Sequence, residues 1–375
     1  MAHSVTYHRH QMLRAISTGL LPCKALLQGV VGPLSIFTLT FITVVFLSTS
    51  VTVAADDDRY LRIIHLNVGQ GDATLVIGPD GTTVLIDAGE PKYAKSSIKP
   101  ALTTLGVSRL DYIIATHFHR DHIGGFEHLG DFTDASTVIY DRGDCVGEAG
   151  CFAPPKLTTP SGRSTTYGKY LTALKGSYKR VGMDTPTISL GTGATIRFVA
   201  AGGAVWGETV STAGSDDENA QSVALVITHG GFSYFIGGDL TGGGNSKRDV
   251  ESVVASLVGN VDVYQSNHHG SPTSNNQLFL EALRPEVVVI SVGDGNSHHL
   301  PKRSVLNRFR ALMDTHGLKR VFMTNDGNIG GVGPNHEGAG LLDSDKEFIT
   351  VATQHVTLFA APDHYIINGM ILPTD

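Results

Sequence analysis

The feature that most constrains this chain is the run His117-Phe118-His119-Arg120-Asp121-His122, which follows an apolar strand-like segment at 112–115 and leads into Ile123-Gly124-Gly125. Four side chains able to ligate a metal ion fall within six positions. One loop cannot saturate a metal, and still less two, so the fold must bring further donors from distant segments to the same rim. Imidazole and carboxylate without thiolate suit zinc, manganese or iron and disfavour a soft structural site.

Such donors are present at the ends of later apolar runs, in Gly237-Gly238-Asp239 and in Ser266-Asn267-His268-His269-Gly270-Ser271. Strand ends that converge on one rim let Asp239 bridge two metals while one of His268 and His269 caps the second. Asp87, in Leu85-Ile86-Asp87-Ala88-Gly89, closes another apolar run. It is placed to accept the free ring N–H of a ligand histidine and so fix the tautomer that faces the metal.

From residue 62, short β-rich runs at 63–68, 74–77 and 83–86 alternate with Gly69-Gln70-Gly71-Asp72 and Gly78-Pro79-Asp80-Gly81, the pattern of an antiparallel meander. A helix is expected at 97–105, and further strands at 194–199, 222–227 and 233–236. The last third alternates strand and helix. Residues 144–186, rich in Gly, Ser, Thr and Pro, read as an insertion with one short helix. The order predicts an α/β (α+β) fold of two mixed sheets packed face to face with helices outside, a four-layered αββα sandwich.

The first 55 residues stand apart. Their only charged residues are Arg9, Arg14 and Lys24, and the uncharged run 25–55 ends at Asp56-Asp57-Asp58. The apolar part at 33–47 has the length of a signal-peptide core, with Val53-Ala54-Ala55 as a small-residue cleavage region; the alternative is a membrane anchor through 25–55. The domains expected are therefore 1–55, signal peptide or anchor, and 56–375, the domain that carries the metal-ligand motifs, with the insertion at 144–186. The chain is expected to be exported, periplasmic or secreted, with no stable membrane contact once the signal is cleaved.

Without those three basic residues, 25 Lys and Arg face 35 Asp and Glu, a formal charge of −10. Such a surface disfavours nucleic acid as a partner, unless bound divalent ions or the local patch Lys302-Arg303 with Arg308 and Arg310 reverse the sign. Of three cysteines, Cys145 and Cys151 lie beyond the first segment, and in an oxidising compartment they are expected to pair.

The 117–122 motif resembles the signature of the metallo-β-lactamase superfamily, with Asp87, Asp239 and the His268-His269 pair at its first, fourth and fifth motif positions. Asn67-Val68-Gly69-Gln70-Gly71-Asp72-Ala73, the stretch 219–222, His268-His269-Gly270-Ser271 and Thr324-Asn325-Asp326-Gly327 look like the ComEC-type competence-protein hydrolase domain. The resemblance runs from about residue 62 to the C-terminus, leaving 144–186 outside it. It implies two divalent metal ions, zinc first and manganese as the alternative. His117 and His119 would hold one, Asp121, His122 and His268 the other, with Asp239 between them.

The resemblance further implies hydrolysis by a hydroxide held by the metals, with Asp121 and His269 as the catalytic residues and His269 donating to the leaving group or to a phosphoryl oxygen. A phosphodiester substrate is expected; the alternatives are a lactone, thioester or β-lactam, and a non-catalytic protein that keeps the fold and binds a ligand. Two departures stand out. Only His128 and His229 lie where the superfamily carries its third-motif histidine, and both read as structural, which leaves Asn219 or water for that position. His119 stands where the ComEC-type domain commonly has aspartate. His298 and His299 are candidate substrate contacts on a loop.

Overall fold

The computed structural model describes residues 60–144, 152–206, 217–329 and 341–374. The stretch 1–55, expected to be a signal peptide or anchor, and both Cys145 and Cys151 lie outside them. Two nine-stranded sheets form the centre. In the first, Leu61–His65 pairs antiparallel with Val356–Ala360 and with Thr74–Ile77, and Thr74–Ile77 with Thr83–Ile86. From Thr83–Ile86 onward the sheet is parallel, through Tyr112–Ile114 and Val138–Asp141 to Ser177–Arg180.

The second sheet repeats the plan. Ala194–Ala201, Ala224–His229 and Phe232–Ile236 are antiparallel, and Phe232–Ile236, Val263–Gln265, Val287–Ile290, Arg320–Met323 and Ile349–Val351 are parallel.

Side-chain alternation explains the layering. Along the first sheet Ile63, Val76, Val84 and Ile86 pack inward against Leu225, Ile227, Tyr234 and Ile236 of the second. Their neighbours Ile64, Leu75, Ile77 and Leu85 face outward under Leu102, Tyr167 and Tyr170. The outer face of the second sheet buries Phe235, Tyr264 and Val288 beneath the helices Glu251–Val258, Gln277–Leu283 and Arg303–His316. Three apolar seams thus separate four layers, the αββα order expected from the sequence. Among the described residues no helix is long and apolar enough to cross a membrane.

Part of the stretch read as an insertion belongs to the layers themselves. The helix Thr166–Ala173 buries Tyr167 and Tyr170 against Phe118 and Phe126, and Ser177–Arg180 is an edge strand of the first sheet. Its exposed, polar sequence hid this role, because an edge strand has one open side and needs little apolar alternation.

Candidate metal centre

In both sheets the parallel strands point their C-terminal ends to one rim, the general location of sites in parallel α/β sheets. Asp87 follows Thr83–Ile86, the His117–His122 loop follows Tyr112–Ile114, Asp239 follows Phe232–Ile236, and His268-His269 follow Val263–Gln265. Backbone bonds lace these loops together. Ala88 N–H donates to His122 O at 2.7 Å, Gly89 N–H to Asp72 O at 2.7 Å, Asp72 N–H to Asp121 O at 3.1 Å, and His268 N–H to Gly238 O at 3.0 Å. Gly71 is required by the Asp72–Asp121 contact: at φ 143°, an added Cβ would lie 2.4 Å from Asp121 O.

The donor atoms divide around the two oxygens of Asp239. Oδ1 lies 3.2 Å from His122 Nε2 and 3.8 Å from His269 Nε2, and His269 Nε2 lies 3.5 Å from Asp121 Oδ2. Oδ2 lies 3.7 Å from His117 Nε2 and 3.5 Å from His268 Nε2. His119 Nδ1 is 3.0 Å from His117 Nε2. Two groups compact enough to hold an ion result: Asp72, His122, Asp239 and His269, and His117, His119 and Asp239.

Four rings have Nδ1 engaged by oxygen, which leaves Nε2 to face the cluster. Nδ1 of His117 is 3.2 Å from Thr116 Oγ1, that of His122 2.8 Å from Asp87 Oδ2, that of His268 2.8 Å from Thr273 Oγ1, and that of His269 3.0 Å from Ser291 O. Asp87, at φ 56°, also accepts the Thr116 backbone N–H and hydroxyl. This is the outer support that fixes tautomer and ring direction at a metal site.

A divalent cation fits this donor set. His122 Nε2, His269 Nε2, Asp239 Oδ1 and Asp72 Oδ2 are all buried without a hydrogen-bond partner of acceptable geometry, a costly arrangement unless a cation completes it. The electrostatics agree. Burial opposes charge on His122, yet Asp239 and Asp87 outweigh it and lift its pKa well above the ordinary value. Burial likewise opposes charge on His269, but Asp72, Asp239 and Asp121 raise its pKa to about 9. The carboxylates demand positive charge at the places where ions would sit.

Of the residues singled out in the sequence, His117, His119, Asp121, His122, Asp239, His268 and His269 come together, with Asp87 behind them. The two adjacent histidines, of which sequence alone left open which ligates, take different positions. His269, expected to donate a proton to the leaving group, is buried with Nε2 turned to Asp121 and Asp239. His268, expected beside Asp121 and His122, is partly exposed and approaches the Oδ2 side of Asp239. Adjacent rings at one strand end offer no period that tells them apart, and here both residues are left-handed, at φ 52° and 54°.

Asn219 places Nδ2 3.4 Å from both ring nitrogens of His268. His298, exposed, and His299 stand outside the donor groups, and His229 is bonded to Ala360 O at a remote hairpin. His128 lies against Glu127. Sequence reasoning missed Asp72 as a donor and took its loop for a turn. A carboxylate buried between glycine and a strand, as in Gly71-Asp72-Ala73-Thr74, was the available signal.

Residues 66–158 match the sequence profile of the metallo-beta-lactamase superfamily. That stretch, which holds the Asp72, Asp87 and His117–His122 loops, is similar to a metallo-β-lactamase domain. It is 28% identical over 255 residues to Competence protein ComA of Neisseria gonorrhoeae, covering 68% of this chain and 29% of that one. To ComE operon protein 3 of Bacillus subtilis it is 26% identical over 285 residues, covering 70% and 32%. The chain thus spans about a third or less of the length of these curated relatives. A solved metal-dependent hydrolase of the beta-lactamase superfamily aligns at 14% identity with a TM-score of 0.42, over 70% of this chain and 95% of that one. The matched stretch contributes the Asp72 and His117–His122 loops to the donor cluster, and Asp239 and the two-histidine loop join them from beyond it.

Proposed function

We propose that this chain is a dinuclear metal-dependent hydrolase whose substrate is a phosphodiester. The observation that carries the proposal is the partition of donors around Asp239, which offers two adjacent cation positions sharing one carboxylate. Two divalent ions there, zinc or manganese, would supply Lewis-acid activation of water and neutralisation of charge at the scissile group. His117 and His119 hold one position; Asp121, His122, His269 and Asp72 surround the other.

The chain's own residues set the geometry for attack. Asp87, Thr116 and Ser291 fix the rings, so the donors stay aligned when a substrate arrives. Asp121, the carboxylate of the cluster most open to solvent, stays ionised: burial opposes this, but its hydrogen bond to His269 and the nearby His122 charge hold its pKa below the usual range. In this reading it would orient the attacking water. A phosphodiester is favoured over a lactone, thioester or β-lactam because paired cations match two phosphoryl oxygens, and because the relatives are named for competence.

The export reading and the Cys145–Cys151 disulfide belong to the same proposal. They are checked by N-terminal sequencing of the native protein, expected to begin near Ala55 or Asp56, and by mass spectrometry of non-reduced peptides. The test of activity is metal analysis of the purified protein, followed by assay of the zinc- and manganese-loaded forms on bis(p-nitrophenyl) phosphate, a lactone and nitrocefin. Turnover of the phosphodiester is expected. Turnover of the lactone or nitrocefin alone would move the function to acyl hydrolysis, and a protein that takes up neither metal would leave a binding role.

A further inference from the structure

We propose that His268 is a ligand to the metal on the Oδ2 side of Asp239, so that the two adjacent histidines serve different ions. This rests on the dinuclear reading above and assigns the donors within it. His268 Nε2 lies 3.5 Å from Asp239 Oδ2, the oxygen that also faces His117. His269 Nε2 belongs to the other side, with Asp121 and Asp239 Oδ1. The two rings diverge, with centroids 6.2 Å apart and planes at 71°.

The backbone is bent to achieve this divergence. Two consecutive non-glycine residues are left-handed, a conformation that persists only where the surroundings hold it. The holding contacts are present. His268 N–H is tied to Gly238 O, next to Asp239. Behind the loop, the buried Glu251 accepts from Asn267 Nδ2 and Asn275 N–H at 2.7 Å and from Asn276 N–H at 2.8 Å.

Thr273 Oγ1 lies 2.8 Å from His268 Nδ1 and 2.9 Å from Ser271 Oγ. With the Thr273 hydroxyl turned to Ser271, Nδ1 carries the ring proton and the Nε2 lone pair faces Asp239, the tautomer a ligand needs. Asn219 Nδ2 lies 3.4 Å from both ring nitrogens, within donating distance of Nε2, and an ion at that position would take the lone pair from it. His268 stands beside the compact group His117, His119 and Asp239, and by closing on it would bring the Oδ2 side to three imidazoles and one carboxylate oxygen. The Oδ1 side keeps two imidazoles and a greater share of carboxylate.

The experiment is calorimetric zinc titration of the metal-free full chain, with the number of imidazole ligands counted by X-ray absorption. Variants are His268→Ala, His268→Gln, Thr273→Val and Asn219→Ala, with His119→Ala and His122→Ala as references for the two sides. Circular dichroism confirms folding. Wild type is expected to bind two zinc ions. Both His268 variants should weaken the same ion as His119→Ala by at least about tenfold and lower the imidazole count, and Thr273→Val should weaken that ion alone by about tenfold.

Unchanged binding of both ions in the His268 variants would overturn the proposal, as would loss of the ion that His122→Ala removes. Loss of the first ion in Asn219→Ala, with His268→Ala unaffected, would assign the amide instead. A wild-type chain that binds no zinc or manganese would remove the dinuclear reading itself, a distinct outcome visible before any variant is made.

Discussion

Arg142 and Glu218 form a buried bidentate ion pair, with Nε donating to Oε1 at 2.8 Å and Nη2 to Oε2 at 2.5 Å. Glu218 Oε1 also accepts the backbone N–H of Phe118, between His117 and His119, and the guanidinium lies 4.3 Å over the Phe118 ring. On its far side Arg142 donates to Phe152 O. The pair therefore locks the metal-binding loop to the segment before Asn219 and to the chain beyond residue 151. The sequence reading assigned neither residue a role.

Breaking such a pair from one side leaves a buried charge without its counterpart. Glu218→Gln is expected to cost about 3–5 kcal/mol in urea unfolding, and Arg142→Met a similar amount. The double variant should lose clearly less than the two single losses combined, because it leaves no uncompensated charge. Additive losses, or single losses below about 1 kcal/mol, would show that the pair is not a clamp.

Asp72 yields opposite signs for stability and metal binding. Burial pushes its pKa up to about 6, partly offset by His269 and His122. A carboxyl raised in the folded state stabilises most below its unfolded pKa and loses that stability as pH rises through the folded value. The metal-free wild type should therefore lose up to about 3 kcal/mol from this group between pH 4 and 6, and Asp72→Asn should not. The same variant should weaken the ion beside His122 and His269 by about 10–100-fold. Parallel changes in stability and affinity would refute a role for Asp72 in holding the cation.

His65 provides a pH signal away from the donor cluster. It lies between the sheets, accepting from the Tyr234 hydroxyl and bonded through Nδ1 to Thr74 Oγ1. Burial alone lowers its pKa to about 3. The folded state thus keeps His65 neutral while the unfolded chain takes up a proton below pH 6.5. Its contribution is intact above that pH and is lost as pH falls toward 3, with a limiting slope of about 1.4 kcal/mol per pH unit. Urea unfolding of wild type and His65→Gln between pH 7 and 4 should differ by that slope; identical profiles would count against it.

The extent to which the site could be read from sequence follows from how its parts are coded. The His117–His122 loop and Asp239 were legible because each ends an apolar strand, and strand ends at one rim must meet. Asp87 was legible for the same reason, and it does bond to His122 Nδ1. Thr116, Thr273 and Ser291 were not, since a hydroxyl or carbonyl that sets a tautomer carries no spacing rule. The separation of His268 from His269 depends on two left-handed residues that no propensity favours. The layered sheets came from alternation, while the edge strand Ser177–Arg180, with little apolar alternation, gave no signal.

Asp239 is the residue on which both cation positions depend. Its two oxygens face different histidines, and it remains ionised: burial opposes this, but His268, His122 and His269 hold its pKa well below the usual range. Asp239→Ala removes the carboxylate shared by both donor groups and takes from Nε2 of His117, His122 and His268 the carboxylate oxygen they face. Metal analysis after gel filtration should find less than one ion per chain, and hydrolysis should fall by at least about a hundredfold. His298→Ala and His299→Ala, outside the donor groups, should keep the full metal content whatever they do to substrate affinity. An Asp239→Ala protein that retains both ions would mean that the two positions do not share a ligand, and the dinuclear assignment would have to be abandoned.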